Sequence, residues 1–196
     1  DNGEVAWYEN PKTNIDNWQK HVIVILPYPY YARLTDMEGD GDLDVIVSNN
    51  NWNAGIRWYN NTQGTGLAWR EFNINKTFSY AGCFDLADVS GDGLNDIVVM
   101  ADYYNFGRMS WIEQPTNLTK NWTTHLINNT VVSMTYLKVR DFDGDGHVDI
   151  ALTSNGGAGV RGLYLFKGPN DPFVDPWQGK KLWDINWPEE VEITDV

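Results

Sequence analysis

Apolar residues in this chain come in short runs, and no window keeps a helical period. Triplets stand at Val45-Ile46-Val47, Ile97-Val98-Val99 and Ile150-Ala151-Leu152; short, branched runs of this kind predict buried strands. Each follows a shorter apolar segment, at 32–35, 84–87 and 136–139. Each is followed in turn by a third segment, Ile56-Arg57-Trp58-Tyr59, Met109-Ser110-Trp111-Ile112 or Leu163-Tyr164-Leu165-Phe166. A fourth kind of segment begins near a tryptophan, at 18–24, 69–74, 122–127 and 177–185. The pattern predicts a recurring set of four strands, A to D, with short connections.

The A-to-B connection carries the candidate chemistry. It is an acidic nonapeptide in three copies, at 36–44, 88–96 and 141–149, with oxygen-bearing side chains at positions 1, 3, 5 and 9 and glycine at 6. Several oxygens from one short segment, with a glycine for the sharp turn, suit a hard cation such as Ca²⁺. An EF-hand is excluded, because its twelfth position needs a bidentate glutamate and here holds Val47, Val99 and Leu152, and because the flanks read as strands. The copies begin 52 and then 53 residues apart, and Asp195 falls 54 residues further on. The stretch 3–11 matches 107–115. Both ends thus lie inside a repeat, and the chain is expected to be a piece of a longer polypeptide.

Composition narrows the class. The net charge of −13 opposes nucleic-acid binding by phosphate neutralisation. No apolar run of about 18 residues suggests a membrane-spanning helix. Cys83 is the single cysteine, so no intrachain disulfide forms, and it is expected to act as a small buried hydrophobe. Five N-x-[ST] sequons, at Asn60, Asn75, Asn117, Asn121 and Asn128, point to a glycosylated protein outside the cell. His21 and His125 occupy matching places in strand D, which points to a repeated structural role. No nucleophile elbow, phosphate loop or zinc spacing is present.

Four short antiparallel strands per unit of about 50 residues is the pattern of a propeller blade. With its D-x-D-x-D-G-x-x-D loops followed by aliphatic strands, the whole chain resembles the FG-GAP/VCBS repeat family, whose members include the integrin α head, fungal lectins and propellers of carbohydrate-active enzymes. The resemblance implies an all-β fold, with about four blades of a seven-bladed ring. The units expected are 1–17 (end of a blade), 18–67, 68–120, 121–176 and 177–196 (start of a further repeat). It also implies three structural Ca²⁺ sites. The first would use Asp36, Glu38, Asp40, Asp44 and the Asp42 carbonyl; the second Asp88, Ser90, Asp92, Asp96 and the Leu94 carbonyl; the third Asp141, Asp143, Asp145, Asp149 and the His147 carbonyl. Ser90 removes a charge, so the second site is expected to be the weakest.

Antiparallel connections alternate between the two ends of a blade. The acidic loops and C–D connections should therefore share one end, and the B–C and D–A connections the other. That second end carries Tyr28, Tyr30, Trp52, Tyr80, Tyr103 and Tyr104, a set suited to stacking on a sugar or meeting a protein. Two functions stay open: a calcium-stabilised extracellular module that recognises a glycan or protein, or part of a secreted carbohydrate-active enzyme resembling fungal sugar dehydratases or polysaccharide lyases. Other partners would be the remaining blades, from the same polypeptide or another chain.

Overall fold

The computed structural model describes residues 2–13, 15–101, 107–131, 133–156 and 160–186. Among these the secondary structure is entirely β: β1 (Asn2–Glu9), β2 (Gln19–Pro27), β3 (Pro29–Thr35), β4 (Asp44–Asn49), β5 (Ile56–Asn61), β6 (Trp69–Asn75), β7 (Phe84–Ala87), β8 (Asp96–Ala101), β9 (Arg108–Glu113), β10 (Thr123–Asn128), β11 (Met134–Arg140), β12 (Asp149–Ser154), β13 (Gly162–Lys167) and β14 (Gln178–Trp183). No helix in the described residues is long and apolar enough to cross a membrane.

The strands form three four-stranded sheets, β3-β4-β5-β6, β7-β8-β9-β10 and β11-β12-β13-β14, and a two-stranded sheet β1-β2. Every pairing is antiparallel and joins neighbours in sequence. This is the architecture of propeller blades, and the predicted strands A to D appear in the order read from the sequence. Strand D pairs with the C strand before it, as Trp58 does with Phe72 and Trp111 with His125. The hydrogen-bonded sheets therefore begin at strand A, and positions 67/68 and 120/121 fall inside sheets. Of the expected start of a further repeat at 177–196, residues 177–186 are described and supply β14, which pairs with β13 in the third four-stranded sheet, while residues 187–196 lie outside the described residues.

The second strand of each four-stranded sheet is buried along its whole length: β4, β8 and β12. A strand covered on both faces reads as an unbroken apolar run, and its two faces serve different neighbours. Ile97, Val99 and Ala101 pack with Ile46, Ile56 and Trp58 of the preceding sheet. Val98 and Met100 point the other way and pack with Leu137, Ile150, Leu152 and Phe166 of the following one. Val45 and Val47 likewise join Leu26 of β2. Period-two alternation thus gives the β3–β6 and β7–β10 sheets two cores each, one shared with each neighbour.

The first strands meet through polar side chains. Arg33 Nε of β3 lies 3.4 Å from Asp85 Oδ1 of β7, whose Oδ2 accepts the Val139 amide of β11 at 3.1 Å. The rings of Tyr31 and Tyr136 meet edge to face at 6.3 Å. Three sheets are tied by one arginine, one aspartate and one amide.

Candidate functional site

The first residue of each acidic loop organises the turn. Asp36 accepts the amides of Gly39, Asp40 and Gly41 at 2.8, 3.0 and 2.8 Å. Asp88 accepts those of Gly91, Asp92 and Gly93 at 2.7, 3.0 and 2.8 Å, and Asp141 those of Gly144 and Gly146 at 2.7 and 2.9 Å. Glycine is needed at positions 4 and 6 because φ is positive at both, 75° and 94° in the first loop, where a Cβ is strained. The fifth residue accepts the amide two places on: Asp40 from Asp42, Asp92 from Leu94 and Asp145 from His147, each at 2.9 Å.

The ninth residue closes the loop and joins it to the C–D connection. Asp44, Asp96 and Asp149 are 1%, 0% and 2% exposed. One oxygen accepts an amide from inside the loop, of Met37 at 3.2 Å, Val89 at 3.0 Å or Phe142 at 3.1 Å. The other accepts the amide of Asn61, Gln114 or Gly168, each at 2.8 Å. The acidic loops and C–D connections therefore share one end of the sheets. A buried carboxylate with this many amide donors keeps further lone pairs for a cation.

Each loop relieves the crowding of its carboxylates differently. In the first, the Glu38 carboxyl is pushed up to about 8 by partial burial, then by a hydrogen bond to Asp44 and repulsion from Asp44 and Asp40. In the second, position 3 is the neutral Ser90, whose buried hydroxyl has no hydrogen-bond partner, and burial still raises Asp96 above the usual carboxylate range against its backbone donors. In the third, Lys167 donates to Asp143 and lies 3.0 Å from Asp145. Those two carboxylates raise its ammonium pKa, while Asp145 is held low by the His147 amide first and Lys167 second. Carboxylate oxygens of Asp141, Asp143 and Asp149 come within 4.8 Å of one another. Oxygen-only donors, an orphaned hydroxyl and a lysine seated among carboxylates fit a hard cation.

Comparison with known proteins places these loops. Residues 36–99 match the FG-GAP-like repeat family. This segment is similar to FG-GAP-like repeats. It runs from the first residue of loop one into β8, and so contains two of the three acidic loops. The chain is also 25% identical over 138 residues to aldos-2-ulose dehydratase of Phanerodontia chrysosporium, an alignment covering 64% of this chain and 15% of that enzyme. The FG-GAP-like segment and this distant likeness agree with the all-β sheets and their repeated loops.

At the opposite end the B–C and D–A connections interlock. Asn50 N donates to Tyr28 O at 3.0 Å and Tyr80 N to Asn51 O at 2.9 Å. The Trp52 ring meets Tyr80 edge to face at 6.2 Å. Tyr28, Tyr30 and Trp52 are 49%, 55% and 60% exposed. Tyr30 and Tyr80 line a cleft of about 280 Å³ with Asn50, Gly82, Cys83, Met134 and Thr135. Tyr103 and Tyr104 lie outside the described residues. Cys83 is buried, and burial raises its thiol pKa.

Three sequons share one local geometry. In Asn75, Asn117 and Asn128 the side-chain oxygen accepts both the amide and the hydroxyl of the threonine two residues on. Asn60, Asn117 and Asn121 stand at the acidic-loop end, while Asn75 and Asn128 end their D strands at the aromatic end.

The histidines sit in repeated triads. His21 stacks on Trp7 at 4.3 Å and lies 3.1 Å from Glu9; His125 stacks on Trp111 at 4.1 Å and lies 3.0 Å from Glu113. A tryptophan 14 residues before each histidine and a glutamate 12 before it were the available sequence signal. Lys167 and the Arg33–Asp85 link left no such trace.

Proposed function

We propose that this chain is part of a calcium-stabilised propeller, about four blades of a seven-bladed ring, that works outside the cell and recognises a glycan or protein at the end opposite its acidic loops. The observation that carries this reading is the threefold acidic loop, anchored at its ninth residue to the next connection at 2.8 Å in every copy. Ca²⁺ would be held by Asp36, Glu38, Asp40, Asp44 and the Asp42 carbonyl in the first loop. In the second it would be held by Asp88, Ser90, Asp92, Asp96 and the Leu94 carbonyl, and in the third by Asp141, Asp143, Asp145, Asp149 and the His147 carbonyl. The ion supplies charge neutralisation and rigidity, and leaves the opposite end free for recognition. Tyr28, Tyr30, Trp52 and Tyr80, with Tyr103 and Tyr104, supply flat faces for sugar rings. N-linked glycans at Asn60, Asn117 and Asn121 would crowd the calcium end more than the aromatic end.

The distant likeness to a dehydratase favours a second reading, in which the chain is the propeller part of a secreted carbohydrate-active enzyme. A glycan array on the intact protein, run beside a turnover assay on aldosuloses, separates the two. Array binding lost on Trp52→Ala with no turnover supports recognition. Turnover without array binding supports the enzyme. Silence in both assays counts against glycan recognition and against the enzyme.

A further inference from the structure

Among the described residues, the third acidic loop has a basic neighbour at a position where the other two have none. Lys167 is the last residue of β13, and its ammonium donates to Asp143 and lies 3.0 Å from Asp145. The matching place in each sheet is fixed by the next residue, whose amide goes to the ninth aspartate: Gly168, Asn61 and Gln114. Lys167 thus corresponds to Asn60 and Glu113, and neither of these can offer a cation. The same loop is the one in which Asp141, Asp143 and Asp149 converge. Lys167 is half exposed, its side chain at 51%, so it can exchange these contacts for water.

We infer that Lys167 is a tethered counter-ion of the third loop, which holds Asp143 and Asp145 together in the absence of metal and must be displaced when Ca²⁺ binds there. The inference rests on the calcium reading above. An ammonium brings one charge and three donors, whereas Ca²⁺ brings two charges and takes six to eight oxygens. The ion therefore wins at high concentration, and the lysine lowers the apparent affinity by the fraction of loops it occupies. The second and third loops are then weakened for different reasons, one by a missing carboxylate and the other by a resident competitor. Glu113, which pairs with His125, leaves the second loop without such a competitor.

The test is a Ca²⁺ titration of the whole chain followed by NMR at the loop glycines, with Gly144 and Gly146 reporting on the third loop and Gly39, Gly41, Gly91 and Gly93 on the others. Lys167→Met should tighten the third loop by about two- to five-fold, the range of an exposed ion pair, and leave the other loops unchanged. It should also lower the melting temperature in EDTA. Lys167→Arg, which keeps the charge, should do neither. If the third loop binds Ca²⁺ equally well in wild type and Lys167→Met, or the EDTA melting temperature does not move, the counter-ion role is wrong and the calcium reading stands. If no loop glycine responds to Ca²⁺ in any variant, the calcium reading fails and this inference fails with it.

Discussion

Asp96 and Gln114 meet at 2.8 Å, carboxylate to backbone amide, across the end of a sheet. The same carboxylate accepts the amides of Val89 and Ser90 at 3.0 and 2.9 Å and is fully buried. One side chain thus satisfies three backbone donors on two connections. Asp96→Ala would leave these donors without their partner at about 1–3 kcal/mol each. A loss of at least about 3 kcal/mol is expected in chemical denaturation, with Asp96→Asn intermediate. A wild-type unfolding midpoint for Asp96→Ala would refute the clamp.

Chelation reports on the metal. A ligand bound only by the folded state stabilises it by about 2.7 kcal/mol per site at one hundred times its dissociation constant. Melting temperature should rise with added CaCl₂ and fall when EDTA is in excess. Identical melting curves in the two conditions would sink the structural-calcium reading.

Ser90 is the neutral third position among the three loops. Ser90→Asp adds a fourth carboxylate, which stabilises a bound divalent cation and destabilises the metal-free loop. Calorimetric titration should show a tighter second site, and differential scanning in EDTA should show a lower melting temperature. Tighter binding without that cost in EDTA would mean the carboxylate does not face its neighbours.

Trp52 is 60% exposed and touches Tyr80 edge to face. Removing a central aromatic anchor from a binding surface costs about 2 kcal/mol or more, roughly a thirty-fold loss of glycan or protein affinity. Trp52→Ala and Tyr30→Ala should therefore weaken binding while moving the melting temperature by only a few degrees. Unchanged affinity in both variants would place recognition elsewhere.

His125 lies flat on Trp111 and beside Glu113, with Phe173 of the β13–β14 connection edge-on to both rings. A stacked aromatic pair is worth about 0.5–1.5 kcal/mol beyond its buried area. His125→Ala should lower stability by at least that much, and His125→Phe should recover part of it. A thermal melt in which His125→Ala matches wild type would show that the stack carries no weight.

Much of the fold was legible in the chain because its determinants are local. Ile97, Val98 and Val99 read as a buried strand because a strand covered on both faces needs no polar residue. The Asp36, Asp88 and Asp141 turns were legible because their acceptors and amides lie within five residues of one another. The order A-B-C-D followed from the repeat. The unit boundaries were less accessible, since periodicity places strand D between two sheets without saying which one it joins; Trp69–Asn75 joins the sheet before it through its register with β5. The histidines were seen as a repeated position, but their stacking on Trp7 and Trp111 depends on cross-strand register, which a one-residue slip would abolish.

The sequence by itself determined the strands, the acidic loops and the spacing that makes them a repeat, because hydrogen bonding within a turn and alternation along a strand act over a few residues. Only the tertiary structure decided what reaches each loop from afar. Asp149 meets Gly168 and Asp143 meets Lys167 because β12 and β13 run antiparallel and bring residue 167 back over residue 143. Charges so far apart in sequence carry no periodic mark, so the loop that holds a cation of its own emerged only when the sheet was built.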